Sequence, residues 1–245
     1  MKLPESVEIA WGLRERPGKG PKRTLSLEHI VEAALRVGSA EGLTAVSMSK
    51  IAAELDVSTM ALYRYVSSKG DLLMLITDAV LGPPPPLPEP GDDWRQGVHR
   101  WGAGMRVALQ RHPWSLRIPI TGPGIMPNHV AWLEAGLRCL RGTGLDSGTK
   151  LAALLLVNGF VRTEVALLAD LQDALDTSQV TDEEALSGYG RSLARLTDPQ
   201  RFPEIHELLK ARVFDKPGGE DDEFFFGMER ILDGLAVLVT GKPST

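Results

Sequence analysis

Residues 47–66 carry the sequence SMSKIAAELDVSTMALYRYV, and this stretch decides the fold. Ser47 and Ser58 are each placed to cap a short helix, and Asp56-Val57-Ser58 predicts a tight turn between the two helices. Asp adopts the left-handed backbone conformation more readily than most non-glycine residues, which suits Asp56 to a chain reversal. Because helices this short are not stable alone, the two must share a core.

Apolar residues at helical spacing supply that core, and the other side chains of the second helix face outward. The core residues are Ile51, Ala52, Leu55, Val57, Leu62 and Val66. The outward residues are Thr59, Met60, Ala61, Tyr63, Arg64 and Tyr65. Hydroxyl, methyl, aromatic and guanidinium groups suit base edges, thymine methyls and phosphates. The pattern predicts a helix-turn-helix whose second helix enters the major groove. The alternatives are a helical corner of an unrelated all-α protein and, for Tyr63, half-buried packing.

The sequence on either side predicts two more helices and two irregular segments. Ser26 can cap a helix to about Ala40, and Ser68-Lys69-Gly70-Asp71 has the capping-box spacing that opens a helix to about Leu81. Residues 1–23 are rich in Gly, Pro and Lys/Arg, which predicts a flexible basic arm. Residues 82–92 are rich in proline and predict a stiff polyproline-II linker, with a docking peptide as the alternative.

Composition and charge fit a globular protein with one basic end. The 245 residues are 43% hydrophobic and 24% charged, which excludes wholesale disorder. The net charge of −5 argues against a general nucleic-acid coat, but residues 1–70 carry +2 and residues 71–245 carry −7. This asymmetry hints at a front end that faces a polyanion. The start has no secretory signal and Cys139 is the single cysteine, so we expect a cytoplasmic protein without a disulfide or a Cys-based zinc site.

Beyond the linker every periodic segment has helical spacing, and no segment alternates as a strand. Helical patterns cover about 93–112, 126–142, 147–171, 182–196, 202–213 and 223–240. The apolar stretch from Leu151 to Leu171 is interrupted by charged residues, so it predicts a helix buried among other helices and no membrane span. We therefore predict an all-α protein with a helix-turn-helix three-helix domain at 24–81 and a larger helical domain at 93–245.

The stretch from Ser26 to Leu81 resembles the DNA-binding domain of the TetR (tetracycline-repressor) family of bacterial transcription regulators. The resemblance rests on Ile51-Ala52, Leu55-Asp56-Val57-Ser58, Leu62-Tyr63-Arg64-Tyr65-Val66 and Lys69-Gly70-Asp71-Leu72-Leu73. Asp56 departs from the glycine that many members have at this position. Around Arg111-His112-Pro113-Trp114 and in residues 226–234, the second domain is similar to that of the tetracycline repressor itself.

The resemblance implies a set of DNA contacts. Backbone contacts are implied for Tyr63, Arg64 and Tyr65, a phosphate contact for Lys69, base contacts for Thr59, Met60 and Ala61, and backbone or base contacts for Ser47 and Ser49. Lys69 also opens a helix, and a helix N-terminus is an anion site. Lys22 and Arg23 in the arm are candidates for minor-groove or phosphate contact, with a solvated tail as the alternative.

Two apolar stripes predict helix packing that would pair two copies of the chain. One stripe contains Phe224, Met228, Ile231, Leu235 and Leu238, and the other contains Leu151, Leu154, Val161, Val165 and Leu168, with Asn158 to fix register. The resemblance implies a four-helix dimer bundle built from these helices. A homodimer presents two recognition helices about 34–36 Å apart and recognises a palindromic operator in double-stranded DNA. The alternative for each stripe is that it faces the chain's own core.

The resemblance also implies a small-molecule effector in the second domain. Aromatic, polarizable and polar residues between the linker and the bundle could line its pocket: Trp101, Met105, Trp114, Met126, His129, Trp132, Asn158, Phe160 and Glu164. Ordinary core packing is the alternative for each of them. No cofactor or metal site is predicted.

The motifs of the common enzyme classes are missing from the sequence. Gly144-Leu145-Asp146-Ser147-Gly148 has its serine one place late for a nucleophile elbow, and no Glu-x-x-His pair, His-Glu-x-x-His or P-loop occurs. We therefore predict a transcription regulator and no enzyme, most simply a repressor that a small molecule releases. The alternative is a helix-turn-helix activator or DNA-binding protein without an effector.

Overall fold

The computed structural model describes residues 3–13, 25–86, 93–122, 124–215, 218–219 and 221–241, and these contain no β-strand. The helices are α1 (Glu5–Ala10), α2 (Leu27–Glu41), α3 (Met48–Glu54), α4 (Thr59–Tyr63), α5 (Lys69–Leu81), α6 (Trp94–Gln110), α7 (Pro127–Cys139), α8 (Ser147–Ser178), α9 (Asp182–Leu196), α10 (Pro203–Lys210) and α11 (Asp222–Thr240). Short 3₁₀ turns lie at Leu43–Ala45, Pro113–Arg117 and Val213–Asp215. The predicted all-α class is confirmed.

Serine side chains begin the first helices of the predicted DNA-binding domain, as their spacing indicates. Four serines each accept, at Oγ, a hydrogen bond from the backbone N–H of the residue three positions later. The distances are 3.2 Å for Ser26, 3.2 Å for Ser47, 3.3 Å for Ser58 and 3.1 Å for Ser68. Each cap satisfies one of the amides that a helix start leaves without an intrahelical partner. These local bonds explain why the starts of α2 to α5 could be placed from the sequence to within a residue.

The chain forms two compact units, the first from residues 1–166 and 231–245 and the second from residues 167–230. In the first unit α2 packs on α3 and α5, α3 packs on α4, and α5 packs on α6 and α7. Its fully buried side chains include Ile30, Ile51 and Leu72. The helix α5 therefore takes part both in the helix-turn-helix core and in the packing of α6 and α7.

The second unit is organised around α9. A capping box between Thr181 and Glu184 starts this helix, and these hydrogen bonds lower the pKa of the Glu184 carboxyl. The ring of Tyr189 packs edge-on against Phe214 at 5.5 Å between centroids. Gly190 leaves room for Phe214, because a Cβ there would lie 2.8 Å from the Phe214 Cβ.

The amino-terminal segment corrects one prediction. Residues 1–23 were expected to form a flexible arm, but Glu5–Ala10 is a helix in which Val7 is 1% and Ile9 6% exposed. A six-residue helix is not stable alone, so tertiary contacts must order it. Composition could not show this, because the segment is too short for a periodic pattern. The predicted contact residues Lys22 and Arg23 lie outside the described residues.

The proline-rich linker also packs more closely than a free spacer. A Cβ on Gly104 of α6 would lie 2.9 Å from Cγ of Pro85, so this part of the linker rests against α6. Residues 87–92 of the predicted linker lie outside the described residues.

The helix α8 is much more exposed than predicted. Among the described residues it is the one helix whose length and composition would let it cross a membrane, and 28% of its apolar window is buried. Its buried side chains are Ala153, Leu154, Val157, Val161 and Val165. Exposed leucines alternate with them, including Leu155 at 61%. Within one chain other helices cover a single side of α8, so the predicted burial among helices is met on that side alone.

A tryptophan from the turn after α6 fills a notch in α2. A Cβ on Gly38 would lie 2.1 Å from Cζ2 of Trp114, so only glycine allows the indole to lie against the helix backbone. The Trp114 Nε1–H donates to Ser39 Oγ at 3.2 Å, and that hydroxyl lies 2.9 Å from His112 Nδ1. Burial and the nearby Arg111 guanidinium lower the pKa of His112.

The notch predicts opposite effects for two helical Gly→Ala substitutions. Gly38→Ala should destabilise the protein by about 1–3 kcal/mol, because the new methyl group overlaps the Trp114 ring. Gly188→Ala in α9 is the matched control, since a Cβ there meets only Arg191 Nη2 at 3.6 Å. The control should stabilise its helix by about 0.5–1 kcal/mol. Urea unfolding measures the stability of both variants. Equal effects of the two substitutions would contradict the close packing of Trp114 against Gly38.

Candidate nucleic-acid interface and effector region

The turn between α3 and α4 has the geometry predicted for a helix-turn-helix. Asp56 adopts φ = 51°, the left-handed conformation that glycine usually occupies. The Val57 N–H donates to the Ala52 carbonyl at 3.0 Å, which closes the end of α3. An aspartate therefore performs the chain reversal at the position where many TetR members have glycine.

The helix α4 has one buried residue and a free outer face. Leu62 is 0% exposed, whereas Met60 is 74% and Tyr63 46% exposed. Thr59, Ala61 and Tyr65 are half-buried and Arg64 is exposed. Since α4 ends at Tyr63, Arg64 and Tyr65 lie in the turn after the helix, and not within it as predicted. None of the six side chains predicted for DNA contact on this element is buried in the protein core.

Two helix starts flank this outer face. Ser47 Oγ accepts the Lys50 N–H and lies 3.2 Å from Ser49 Oγ, so one hydroxyl caps α3 and the other adjoins it. Lys69 is the exposed first residue of α5, behind the cap of Ser68. Amides at a helix start attract anions, and a lysine adds a full positive charge. These starts carry hydroxyl, amide and ammonium donors at residues for which the resemblance implies a phosphate contact (Lys69) and backbone or base contacts (Ser47 and Ser49).

The tryptophans predicted for the effector pocket use their N–H groups inside the protein. Trp101 Nε1 donates to the Trp132 carbonyl at 2.8 Å, and the two rings pack edge-on at 6.1 Å. Trp132 Nε1 donates to the Gly82 carbonyl at 2.9 Å. Together with the Trp114 contact to α2, these bonds favour the core alternative for all three. Met105 and Met126 are likewise buried. The effector role of the three tryptophans stays a prediction, with ordinary core packing as its alternative.

Asp78 forms an interaction that the sequence analysis missed. This α5 carboxylate is 7% exposed and accepts the backbone N–H of His129 at 3.0 Å and Nδ2–H of Asn128 at 3.1 Å. His129 Nδ1 lies 3.0 Å from the same carboxylate. Asp78 of α5 therefore caps the first turn of α7. The backbone N–H and the ring of His129 both take part in this cap. A lone Asp among apolar residues of a helix, as in LITDAVL, is the signal that could have indicated it.

Glu164 pairs with an arginine that was not predicted. Arg106 Nε donates to both carboxylate oxygens of Glu164, at 3.0 and 3.1 Å, and Nη2 lies 2.8 Å from Oε1. The side chains are 9% and 10% exposed, so the pair joins α6 to α8 in a low-dielectric setting. Asn158 and Phe160 on α8 are half-buried. The remaining polar candidates of the effector region therefore lie on α7 and α8.

Burial divides the two stripes predicted for the dimer interface. Six of these residues are buried within one chain: Leu154, Val161, Val165, Phe224, Met228 and Leu235. Leu151, Leu168 and Leu238 are exposed, and Ile231 is half-buried. A buried side chain has no surface to offer a partner, so the six belong to the alternative that the sequence analysis left open. The exposed residues of the same helices stay candidates for the predicted interface.

The buried Arg106–Glu164 pair predicts that the stability of the chain depends strongly on both partners being present. Glu164→Leu should destabilise the chain by about 3–5 kcal/mol, because it leaves a buried guanidinium without its carboxylate. The double variant Arg106→Met/Glu164→Leu should recover most of this loss. Glu134→Leu is the control, since its pair with Arg138 is about half-exposed and should matter by less than about 1 kcal/mol. Unfolding in guanidinium chloride measures the stability of all three variants. A double variant as unstable as Glu164→Leu would show that Arg106 and Glu164 are not energetically coupled.

Comparison with known proteins gives the family. The family model of bacterial regulatory proteins of the tetR family matches residues 30–75, and that of the tetracyclin repressor-like C-terminal domain matches residues 87–239. The HTH-type transcriptional repressor DrrR1 of Streptomyces coeruleorubidus is 34% identical over 241 residues, which cover 98% of this chain and 88% of that protein. Tetracycline repressor protein class E of Escherichia coli is 29% identical over 198 residues, or 78% of this chain and 90% of that one.

A solved structure shows the same similarity in three dimensions. The TetR family protein ActR of Streptomyces coelicolor, in complex with actinorhodin, superposes with a TM-score of 0.72 at 28% identity and covers 88% of this chain and 99% of ActR. The segments that the two family models match include the turn at Asp56, helix α4 and the helices that follow the linker. The chain therefore belongs to the TetR family of DNA-binding transcriptional regulators.

Proposed function

We propose that this chain is a homodimeric repressor that binds a palindromic operator through α4 and leaves it when a small molecule binds the second domain. The exposed outer face of α4 carries the proposal, because a short helix with a single buried residue is free to lie along a duplex. The repressor DrrR1, similar over 98% of this chain, supports the direction of regulation. The proposed boundaries are 24–81 for DNA binding, 82–92 for the linker and 93–245 for effector binding and dimerisation.

The proposed DNA contacts divide by chemistry. Met60, Thr59 and Ala61 would meet base edges and thymine methyls, whereas Arg64 and Lys69 would meet phosphates. Tyr63, Tyr65, Ser47 and Ser49 would contact the backbone beside them, and Lys22 and Arg23 would extend the contact from the preceding segment. Phosphate contacts raise affinity for any duplex, while the contacts of α4 select the sequence.

Exposed faces of α8 and α11 support the dimer. In α8 the side chains of Leu151 and Leu155 are exposed, and a Cβ on Gly159 one turn later would meet nothing within 4 Å. In α11 Gly234 has the same open space and Leu238 is exposed. Apolar side chains beside small residues let two helices approach closely, and an apolar surface this continuous is usually covered by a partner. We assign these faces to the second copy of the chain.

The effector proposal rests on relatives and on the half-buried polar residues of the second domain. ActR was solved with actinorhodin, and a TetR of Acinetobacter baumannii, 25% identical with a TM-score of 0.64, was solved with minocycline. We propose that His129, Asn158 and Phe160 contact an effector held by α6, α7 and α8. Actinorhodin and minocycline are the first probes to test for release of a bound duplex.

The phosphate contacts predict the salt dependence of DNA binding. A duplex enriched from a random pool by the wild-type chain serves as the operator. Arg64→Ala and Lys69→Ala should each weaken binding and reduce the log–log slope of affinity against salt by about one, because each removes one phosphate contact. Lys210→Ala in α10 is the control and should change neither quantity. Unchanged slopes in both Arg64→Ala and Lys69→Ala would exclude phosphate contacts by these residues.

The exposed faces predict which substitutions separate the dimer. Leu155→Glu and Leu238→Glu should yield monomers, because each places a charge in the proposed interface without touching the chain's own core. Leu133→Glu is the matched control, since Leu133 is exposed on α7, and it should leave the dimer intact. Sedimentation velocity measures the association state. The proposed interface would be refuted if the wild type sediments as a monomer. It would also be refuted if Leu155→Glu and Leu238→Glu both remain dimers.

A further inference from the structure

The helix α1 lies outside both segments matched by the family models, which begin at residues 30 and 87. It is nevertheless folded against the protein, with Ser6, Val7 and Ile9 buried. The caps of α2 to α5 do not use this extension, because each is made by the serine that precedes its own helix. Its contacts therefore call for a separate explanation.

The contact made by Trp11 identifies where the extension is attached. Trp11 follows α1, and its Nε1–H donates to the Ile125 carbonyl at 2.8 Å across 114 residues of sequence. Gly12 adopts φ = 66°, and the Leu13 N–H returns to the Glu8 carbonyl at 2.8 Å. These bonds close the end of α1 and hold the indole beside the segment that precedes α7.

Ile125 adjoins the cap that joins α7 to α5. The neighbouring Gly124 lies directly against His129, since a Cβ on Gly124 would be 3.0 Å from the His129 Cβ and Cδ2. The His129 N–H and ring in turn contact the Asp78 carboxylate of α5. A continuous series of contacts thus runs from Trp11 through the segment 124–125 and His129 to Asp78.

This series ends on the helix that leaves the DNA-binding domain. Asp78 is buried in α5, whose first residue is the proposed phosphate contact Lys69. A displacement of residues 124–129 would weaken the Asp78 cap, and α5 would lose a fixed position against α7. Asp78 is 7% exposed, so its carboxylate has little water to replace a displaced partner, whereas Trp11 at the other end of the series is 43% exposed.

We propose that Trp11 is a positioning residue for the DNA-binding domain. Its indole N–H holds the Ile125 carbonyl, which keeps His129 on Asp78 and fixes α5 against α7. We call residues 5–13 the strap, because their contact with Ile125 holds the segment before α7 in position. This role is in addition to any role of the basic residues that follow. The operator readout of this inference rests on the proposed function, whereas its structural readout does not.

Hydrogen exchange of the full-length chain tests the strap. Trp11→Phe keeps an aromatic ring and removes the donor, Trp11→Ala removes both, and Leu13→Ala truncates an exposed side chain of the same segment as the control. Both Trp11 variants should exchange the amides of His129 and its neighbours roughly three- to tenfold faster, as expected for loss of one hydrogen bond. The amides of α3 and α9 and the control variant should keep wild-type exchange.

Operator affinity supplies the second readout. Both Trp11 variants should bind the enriched duplex roughly three- to tenfold more weakly than wild type, while Leu13→Ala binds equally well. Faster exchange confined to α1, with the His129 amide still protected, would overturn the proposal and leave α1 as a structural addition. Faster exchange at His129 with unchanged affinity would overturn the link to DNA binding. If the wild-type chain selects no duplex, the proposed function fails. Hydrogen exchange at His129 still tests whether Trp11 holds the segment before α7.

Discussion

The enclosed side chain of Leu62 holds α4 in place, and the rest of the functional surface depends on it. The helix has five residues and no other buried side chain, so its own backbone hydrogen bonds would not keep it folded. Leu62 reaches a core that contains Ile51, Ala52 and Val66, and this core fixes the axis of α4. Because a single residue is used inward, the others remain free to face a partner. A larger buried face would give a firmer helix with fewer groups left for DNA.

Local chemistry made the amino-terminal domain predictable. Side-chain caps act within three residues, so Ser26, Ser47, Ser58 and Ser68 marked their helices before any tertiary contact was known. The left-handed conformation of Asp56 followed from the same kind of short-range argument. The end of α4 was placed two residues too late, because helical spacing continues through Arg64 and Tyr65 while the backbone already turns.

The second domain was harder to predict because its important contacts are distant in sequence. Trp101 and Trp132 fit a ligand pocket and a core equally well by composition, and the sequence does not show that their N–H groups donate to the Trp132 and Gly82 carbonyls. The same holds for α8, where Leu151 and Leu154 belong to one predicted stripe but are 43% and 3% exposed. Arg106 was missed because its buried charge is recognised by its partner Glu164, which is distant in sequence. Asp78 left a local signal, a lone carboxylate among the apolar residues of a helix, but its partners on α7 are equally distant.

Those two buried charges suggest how a helical regulator can switch without unfolding. The Arg106–Glu164 pair joins α6 to α8, and Asp78 joins α5 to α7, so these four helices are held by polar contacts in addition to apolar packing. Apolar contacts tolerate small sliding movements, whereas a buried carboxylate keeps its partners or loses them at considerable cost. In the TetR family member described here, the helix held in this way by Asp78 is the one that begins at the proposed DNA backbone contact.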